Sequence, residues 1–493
     1  MRYTYLNCGV DLARVHQRLI RPTDNVIHLS SDETLGNVYL KPQALTQALG
    51  SQLDPVSLDL CEIAAYVYLG DKAVSRGKYE KWTRNLSWIV PVRAPERWDS
   101  VKEILTNTIS TLSGDNVLFT FVPKPKLKAA SPSRPRKTKA STNLEQATFP
   151  ESDCSCLFSG GLDSFAGGAY LIDQEGRRPL FASHCANGEL KNKQIDLVNV
   201  IQNKFGQNFH HFQYWVTSRR NKNAPHPYER KESSHRARSF LFMSYATVAA
   251  AVRGLTDIFI CENGVLSLNV PISDARKGSR STRHAHPLYL FHFNQLINAL
   301  YEQKFNVQNP FSLQTKGEEI ALLRTLGLES VIKDTVTCWG YPNQMCRYKY
   351  SNHCGYCIPC VVRRVSLIAA GMEECDDQYV VDVFGSRDKL TDKQLRNVED
   401  LAYFCQNFST LSKTELLYRF PELVMIEAGN GSASGDRIEK IIRVYKEFAR
   451  EFALVARQLN SDFAADFPET SSEAFLAPAS VSEHDQSYEW TQA

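Results

Sequence analysis

The residues with the clearest potential for chemistry lie in the stretch CLFSGGLDSFAGGAYLI, which spans 156–172. A short apolar run there meets Ser-Gly-Gly-Leu-Asp-Ser, and a helical pattern follows at once. Glycine lets backbone amides approach a ligand, and the first turn of a helix adds amides without intrahelical partners and the positive end of the helix dipole. Such a turn predicts an anion site of the kind that binds a phosphate group. An ordinary structural turn is the alternative.

The sequence of this loop matches neither of the two commonest phosphate-binding motifs. A Walker A loop needs GxxxxGK[ST] and the dinucleotide motif needs GxGxxG, and the loop has neither pattern. Serine hydroxyls can donate to a phosphate, whereas a carboxylate repels one. Asp163 is therefore expected to cap the helix or to hold a magnesium ion carried by a nucleotide. The predicted loop consists of Ser159, Gly160, Gly161, Leu162, Asp163 and Ser164.

A second chemical group is a cluster of cysteines in NHCGYCIPCVVRR, together with one cysteine sixteen residues upstream of the first. Four thiolates fit a closed tetrahedral zinc site that has no position for water, which predicts a structural metal. The predicted ligands are Cys338, Cys354, Cys357 and Cys360. Three alternatives stay open: Cys346 in place of Cys338, an iron–sulfur cluster on three cysteines, or chance clustering.

Composition places the chain among ordinary globular proteins. It has 493 residues, 43% of them hydrophobic and 23% charged, with a net charge of +3 that names no partner. The first residues lack the apolar core of a signal peptide, and the longest apolar stretch, Phe240 to Val252, is too short to span a bilayer. We therefore expect a cytoplasmic protein with no membrane contact and reduced thiols, in which clustered cysteines indicate metal rather than disulfides.

The elements that must position these groups follow a repeated pattern from residue 154 onward. Strand-like runs alternate with helical ones as far as about residue 264, which predicts an α/β fold with a parallel sheet covered on both faces. Ligands of such sheets bind at the carboxyl ends of the strands. Gly160, Asn187, Ser218 and Glu262 fall near such ends.

Composition shifts divide the chain into five segments. Residues 1–122 mix helical and strand-like patterns and predict an α+β accessory domain. Residues 123–150 hold seven basic residues and no acidic one between Lys124 and Lys139, which predicts a basic flexible linker. This linker is expected to be solvated, and contact with RNA or an acidic partner is the alternative. The core domain, a C-terminal helical region and an acidic, frayed tail follow, at 151–375, 376–460 and 461–493.

The loop and the cysteines together carry a resemblance to a known family. SGGxDS after a strand resembles the PP-loop of the ATP pyrophosphatase superfamily, whose members cleave ATP between the α and β phosphates to form an adenylate. With CGxCxxCxxR about 180 residues later, residues 150–375 resemble the 7-cyano-7-deazaguanine synthase family (QueC-like). The resemblance implies an adenine nucleotide alpha hydrolase-like core, the ATP loop at 159–164, zinc on the four cysteines, and a matching arginine at Arg363.

The same resemblance indicates further site residues. Ser273-Asp274-Ala275-Arg276 is similar to the family's PDCR substrate segment. Arg236 resembles an arginine near the nucleotide, and Lys316 resembles a lysine at a helix start. The candidate substrate or catalytic residues are Arg236, Glu262, Asp274, Arg276 and Lys316. His284 and His286 lie in an insertion-like stretch, for which a surface loop is favoured over a substrate role.

The chain is longer than the synthases of this family. Family synthases are about half as long, and the long form is similar to the QueC-like proteins of bacterial antiphage systems (the Qat system and a class of CBASS operons). That similarity implies a ligase that uses ATP and Mg²⁺ to activate a 7-deazaguanine carboxylate and join it to an amine on a partner protein of the same operon. The alternatives are a 7-cyano-7-deazaguanine synthase using ammonia, a PP-loop tRNA-modifying enzyme that binds RNA, and a non-enzymatic assembly subunit.

Overall fold

The computed structural model describes residues 3–11, 25–76, 83–125, 149–219, 221, 223–273, 283–340, 353–428, 435–459 and 461–467. The strands are β1 Thr4–Asn7, β2 Asn25–His28, β3 Val38–Tyr39, β4 Asn85–Val92, β5 Asn116–Pro123, β6 Cys154–Leu157, β7 Pro179–His184, β8 His211–Tyr214, β9 Thr217–Ser218, β10 Asp257–Phe259 and β11 Asn306–Gln308. The α-helices are α1 Pro42–Leu49, α2 Pro55–Ala73, α3 Pro95–Ser100, α4 Lys102–Ser113, α5 Leu162–Asp173, α6 Gly188–Phe205, α7 Arg238–Val252, α8 Gly264–Ser267, α9 Pro287–Tyr301, α10 Lys316–Thr325, α11 Ile358–Ala369, α12 Asp392–Thr410, α13 Lys413–Arg419, α14 Glu422–Ala428 and α15 Gly435–Gln458.

The chain forms two compact units, each assembled from separate stretches of sequence. The first unit takes residues 1–159, 176–259 and 292–308, and the second unit takes 160–175, 260–291 and 309–493. The boundary between them falls inside the glycine loop, between Ser159 and Gly160. The five sequence-based segments stay a prediction.

A five-stranded sheet in the first unit has the parallel arrangement that the sequence predicted. Its strand order is β11-β10-β6-β7-β8, and all neighbouring pairs are parallel. The four residues of β6 are all buried, as expected for a central strand covered on both faces. The order reverses beside β6, because the chain moves outward to β7 and β8 and then returns to β10 on the other side. The segments that follow β6 and β10 therefore begin next to each other, where α/β proteins bind ligands.

The N-terminal segment contributes a second sheet to the first unit. Its order is β2-β1-β4-β5, and its strand pairs are all parallel, an arrangement that the α+β expectation did not specify. Trp88 on β4 is buried and stacks on Phe119 of β5 with ring centroids 5.4 Å apart. Helix α2 begins where Asp54 accepts the amides of Val56 and Ser57, and it packs against α7.

Helices dominate the second unit. A large apolar core joins α11, α12, α14 and α15, consistent with the helical pattern predicted after residue 385. Phe452 on α15 packs against Phe463 and Phe467, with ring centroids 6.5 and 5.7 Å apart. The expectation of a frayed chain from Ser461 is therefore wrong for Ser461–Phe467, because two of its aromatic side chains are buried.

Some sequence expectations fall outside the described residues. These are the greater part of the basic linker, the tail beyond Phe467, Cys346, and the substrate candidates Asp274 and Arg276. Among the helices that the structure describes, none has the length and apolar character needed to cross a bilayer.

Candidate active site

The glycine loop has the backbone geometry of an anion-binding turn. Gly160 has φ +82°, in the left-handed region that side chains disfavour, and helix α5 begins two residues later at Leu162. The amides of the first turn of α5 point out of its N-terminal end and make no intrahelical bonds. The Ser164 hydroxyl donates to the Gly161 carbonyl oxygen at 2.9 Å. This turn can place several donors around a phosphate.

Asp163 does not cap the helix, contrary to one of its two expected roles. The cap residue is Gly161, and the Asp163 carboxylate instead accepts a hydrogen bond from Asn263 Nδ2 at 3.0 Å and forms an ion pair with Lys316. Asp163 is 8% exposed and Lys316 is 1% exposed. The buried ammonium balances the carboxylate, which explains how an acidic residue can stand beside an anion-binding turn.

Lys316 owes its position to the local sequence Thr-Lys-Gly-Glu at the start of α10. The Thr315 hydroxyl accepts the Glu318 amide at 3.2 Å, and the Glu318 carboxylate accepts the Thr315 amide at 2.7 Å, which completes a capping box. Burial lowers the pKa of Lys316 to about 8, while the nearby carboxylate of Glu319 favours the charged form. The structure therefore brings together two predicted site residues, Asp163 and Lys316, that lie 153 positions apart in sequence.

One turn further along α10, Glu319 is a buried carboxyl group that the sequence did not single out. It is fully buried, and neither carboxyl oxygen has a hydrogen-bond partner among the described residues. Burial raises the pKa of Glu319 to about 8, and the positive charge of Lys316 opposes that rise. An uncharged carboxyl group is the form that such surroundings favour.

A close helix contact explains how Asn263 reaches Asp163. A Cβ atom on Gly167 of α5 would lie 2.2 Å from Cys261 Sγ, so only glycine allows α5 to approach the segment that carries Asn263. The side chain of Asn263 is fully buried, and its Oδ1 accepts the Leu266 amide at 3.2 Å to cap α8. Gly167, in the SFAGGAY part of the opening motif, is thus a packing residue.

Glu262 forms a pair with His284 that the sequence analysis did not predict. Glu262 Oε2 lies 2.6 Å from His284 Nε2, and the two side chains are 16% and 34% exposed. His286, by contrast, is 5% exposed, and its Nδ1 accepts the Leu288 amide at the start of α9. The surface-loop interpretation is therefore wrong for buried His286, whereas His284 is partly exposed. The sequence showed only that His284 lies near basic residues, and it gave no indication that this histidine pairs with Glu262.

Helix α15 holds the start of α10 from the side. Glu451 is 4% exposed and accepts the Thr315 hydroxyl at 2.6 Å and the Ser366 hydroxyl at 3.0 Å. On the same helix, Arg443 donates to Glu318 at 2.6 Å. Burial raises the pKa of Glu451 to about 7, and its two hydroxyl donors oppose the rise. These contacts fix the capping box that positions Lys316.

The four predicted cysteine ligands converge in the second unit. One sulfur atom from each of Cys338, Cys354, Cys357 and Cys360 lies within 4.8 Å of the other three. The sulfur atoms of Cys354 and Cys360 lie 3.9 Å apart, and those of Cys357 and Cys338 lie 4.0 Å apart. These separations are close to the spacing of about 3.8 Å that a tetrahedron with Zn–S bonds of about 2.3 Å requires. Backbone amides of Gly340 and Cys357 donate to sulfur atoms at 3.3 Å. The group could hold zinc.

Arg363 links the cysteine group to the glycine loop within the second unit. Its guanidinium, which is fully buried, forms a two-pronged pair with Asp376 at 2.9 and 2.8 Å. It also donates to the hydroxyls of Thr335 and Thr337 at 2.8 and 2.9 Å. The amide of Val336, between these threonines, donates to the Gly160 carbonyl oxygen at 2.9 Å. The chain leading to Cys338 therefore braces the loop.

Arg236, another of the candidate residues, lies in the first unit. Arg236 is 5% exposed and donates to the Ser113 carbonyl oxygen at 3.0 Å. Burial lowers the pKa of Arg236 to about 10, and the charge of Arg76 adds to the effect. These contacts tie Arg236 to the N-terminal segment, and its role toward a nucleotide stays a prediction. The Ser159 carbonyl oxygen accepts the Gln194 side-chain amide at 3.2 Å.

Comparison with known proteins gives one family. No curated protein matches the chain. Residues 153–371 match the family model described as "QueC: Queuosine biosynthesis protein QueC", which covers the glycine loop, Lys316 and all four cysteines. The match supports placing this part of the chain in a QueC-like PP-loop family, whose members are ATP-using enzymes that act on 7-deazaguanine compounds.

Proposed function

We propose that the chain is an ATP-dependent carbon–nitrogen ligase of an antiphage defence system. A carboxylate oxygen of 7-carboxy-7-deazaguanine attacks the α-phosphorus of ATP, pyrophosphate leaves, and an acyl adenylate forms. The nitrogen of an amine on a partner protein then attacks the acyl carbon, the bond to AMP breaks, and an amide remains after loss of a proton. The protein's main contribution is to position these groups and stabilise their charge.

The observation that carries the proposal is the buried Asp163–Lys316 pair on the glycine loop, inside the segment that matches the QueC model. The amides that begin α5 are suited to phosphate oxygens. Lys316 supplies a fixed positive charge beside them for the charge that develops during adenylate formation. Asp163 holds that ammonium in place.

Magnesium and zinc have different places in this proposal. Both Asp163 oxygens already accept bonds from Lys316 and Asn263, so the described loop offers no preformed magnesium site. Magnesium enters only as the counter-ion of the bound nucleotide. The four buried thiols fit zinc and leave no ligand position for substrate, so zinc acts structurally.

The segments outside the matched domain favour the defence-type ligase. A parallel sheet before residue 124 and helices after residue 390 flank the QueC-like domain. Ammonia needs no docking surface, whereas a protein acceptor does. The presence of these extra segments supports an amine acceptor larger than ammonia.

The test is incubation with ATP, 7-carboxy-7-deazaguanine and the proteins encoded in the same operon, followed by intact mass spectrometry. We expect AMP and pyrophosphate, and a mass increase on one partner protein equal to the acyl group. The Gly160→Asp variant should lose both, because a carboxylate would enter the loop. ATP turnover to AMP that persists in this variant would refute the site assignment.

A second candidate is 7-cyano-7-deazaguanine synthase, favoured by the description of the matched family. This enzyme would use ammonia and release a free nitrile. Free cyano product, formed without any mass increase on a protein, would replace the first proposal with this one.

A further inference from the structure

Glu319 is a buried carboxyl group of α10 that has no part in the reaction described above. Its side chain is fully buried, and within the part of the chain that the structure describes neither oxygen has a hydrogen-bond partner. Burying a carboxyl group without partners costs free energy that an apolar side chain of similar size would not cost. A buried polar group left without a partner in a native fold therefore calls for an explanation, and a functional role is one.

Helix geometry places Glu319 on the same face of α10 as Lys316. The two residues are three positions apart, and residues with that spacing are neighbours on a helix surface. Lys316 is 1% exposed and pairs with one oxygen of Asp163, whose other oxygen accepts Asn263 Nδ2 at 3.0 Å. Asp163 lies in the first turn of α5, whose amides form the candidate anion site. Glu319 thus lies one helical turn from the Asp163–Lys316 pair.

A second buried carboxyl group beside the start of α10 shows what a structural role looks like. Glu451 accepts the Thr315 hydroxyl at 2.6 Å and the Ser366 hydroxyl at 3.0 Å, and these bonds join α15 to its neighbours. Glu319 holds no neighbour in this way. Packing and hydrogen bonding therefore do not explain why a carboxyl group occupies its position.

The charge of Glu319 decides the charge balance of this site. While Glu319 is protonated, the charges of Asp163 and Lys316 cancel each other. When Glu319 is ionised, two carboxylates stand beside one ammonium, and the group has a net negative charge. Burial raises the pKa of Glu319 to about 8, while the charge of Lys316 opposes the rise and that of Glu318 adds to it. The protonated form therefore prevails at neutral pH.

The elements packed against α10 bring further charged groups. Burial lowers the pKa of the paired lysine to about 8, and the charge of Arg363 on α11 adds to the effect. Burial also raises the pKa of Glu451 on α15 to about 7. In the short turn after α10, Glu329, Lys333 and Asp334 are exposed or half-buried, so water and salt screen their charges. The lysine and Glu319 therefore titrate as a coupled pair.

Phosphate on the loop and an ionised Glu319 disfavour each other, because like charges in a buried site repel. Linkage makes the effect reciprocal, so that a bound nucleotide also strengthens the hold of Glu319 on its proton. We propose that Glu319 is a proton-coupled switch of the glycine loop, which binds nucleotide phosphates while Glu319 is protonated and binds them more weakly once Glu319 ionises. The inference rests on the proposed function only in that ATP phosphates bind the loop. Glu319 acts through the Asp163–Lys316 pair and makes no contact with the nucleotide.

The first test measures binding of α,β-methylene-ATP with Mg²⁺, an analogue that cannot be cleaved between the α and β phosphates, to the full-length protein. From about pH 7 to about pH 9.5, either side of the folded pKa of about 8, the wild-type Kd should rise by roughly 5- to 150-fold. Glu319→Gln, which is neutral at every pH, should lose most of this rise. Glu319→Met should do the same, and it avoids burying an unpaired amide. Glu439→Gln, the same change in an exposed pair with Lys413, is the matched control and should keep the full rise.

A second measurement identifies the group that titrates, because the paired lysine loses its proton in the same pH range. The infrared carbonyl band of the protonated carboxyl group is isolated as the difference between wild type and Glu319→Gln. It should fade with a midpoint near pH 8 in the free protein. Bound analogue should move this midpoint upward by the logarithm of the factor by which ionisation weakens binding. Glu451→Gln should keep the band, since its own carboxyl group titrates separately.

The outcomes separate this inference from the proposed function. Failure of the wild-type protein to bind the analogue at neutral pH would overturn the placement of ATP on the loop, and with it the proposed function. Normal binding with the same pH dependence in wild type and in both Glu319 variants would overturn the switch alone. A carboxyl band whose midpoint the analogue does not move would also overturn it. Folded variants that no longer bind the analogue at neutral pH would show a purely structural role for Glu319, with the same consequence.

Discussion

Two regions of the molecule bury ionic groups in different ways. In the first unit, an arginine–aspartate cluster formed by Asp71, Arg76, Arg84 and Asp115 is nearly closed to solvent. Asp115 Oδ1 and Oδ2 accept from Arg76 and Arg84 at 2.7 Å each, and Arg84 also donates to the Asp71 and Val74 carbonyl oxygens. In the second unit, Lys316 and Asp163 form a pair with fewer supporting bonds.

The pKa shifts in the two regions differ in direction, and this difference distinguishes a structural cluster from a candidate chemical site. Burial alone would raise the pKa of Asp115, but hydrogen bonds and charge from Arg84 and Arg76 hold it below its ordinary value. The second unit does the opposite, because burial raises the pKa of Glu319 and lowers that of Lys316. Groups whose pKa values are moved toward neutrality are typical of functional sites, whereas a fully paired cluster is typical of a structural one.

The largest expected effect is on stability, from Arg84→Met in the arginine–aspartate cluster. Removing one cation leaves Asp71 and Asp115 buried with too little positive charge, which should lower the free energy of unfolding by about 3–5 kcal/mol. Urea denaturation measures this loss. Arg178→Met, which removes an exposed pair with Glu151, should cost at most about 1 kcal/mol. Pyrophosphate exchange per folded Arg84→Met molecule should be normal. Loss of this exchange would contradict a purely structural role for the arginine–aspartate cluster.

The next effect is on activity, from Lys316→Gln. Losing the fixed positive charge beside the loop should slow pyrophosphate exchange by roughly 10²–10³-fold. Lys304→Gln, at an exposed lysine, is the control. Because an unpaired Asp163 could disturb folding, the double variant with Asp163→Asn removes both charges together. Retained exchange in a folded double variant would show that the pair has no catalytic part.

A smaller effect is expected for Glu451→Ala on α15. The change leaves the Thr315 and Ser366 hydroxyls without this acceptor in a buried place, which should cost about 1–3 kcal/mol of unfolding free energy. Glu447→Ala on the same helix removes only a pair with Arg450 and should cost about 0.3–0.5 kcal/mol. Equal losses in the two variants, by urea denaturation, would contradict a supporting role for Glu451.

The smallest effect, when counted per pH unit, is a pH slope of stability with opposite signs in the two regions. Glu319 has an ordinary pKa of 4.5 and a folded pKa of about 8, so between these values only the folded state holds the proton. Stability should therefore fall as pH rises from about 5 to 8, by up to about 1.4 kcal/mol per pH unit. Asp115, whose pKa is lowered, stabilises the fold above its ordinary pKa of 3.8, and this contribution is lost as pH falls. Urea denaturation across pH should show a flatter slope in Glu319→Gln, and an unchanged slope would contradict this assignment.

Sequence reasoning predicted those parts of the candidate site that are contiguous or regularly spaced in the chain. The glycine loop and the C-x-x-C spacing are local patterns, and the alternating strands and helices gave the parallel sheet. Lys316 came only from resemblance, because its partner Asp163 is 153 positions away. Asn263 was missed, and His284 was assigned to a surface loop, for a related reason. Their roles depend on contacts made by tertiary packing, such as the close approach at Gly167, that no short window of sequence shows.

The contact between Glu451 and Thr315 has a consequence for how this chain can be divided. The QueC-like match ends at residue 371, yet the helix that holds the start of α10 lies beyond residue 434. A protein shortened to the matched segment would expose the apolar core shared with α11 and would leave the lysine-bearing turn without its acceptor. We therefore expect that a shortened version of the protein needs the C-terminal helices to keep the candidate site in place.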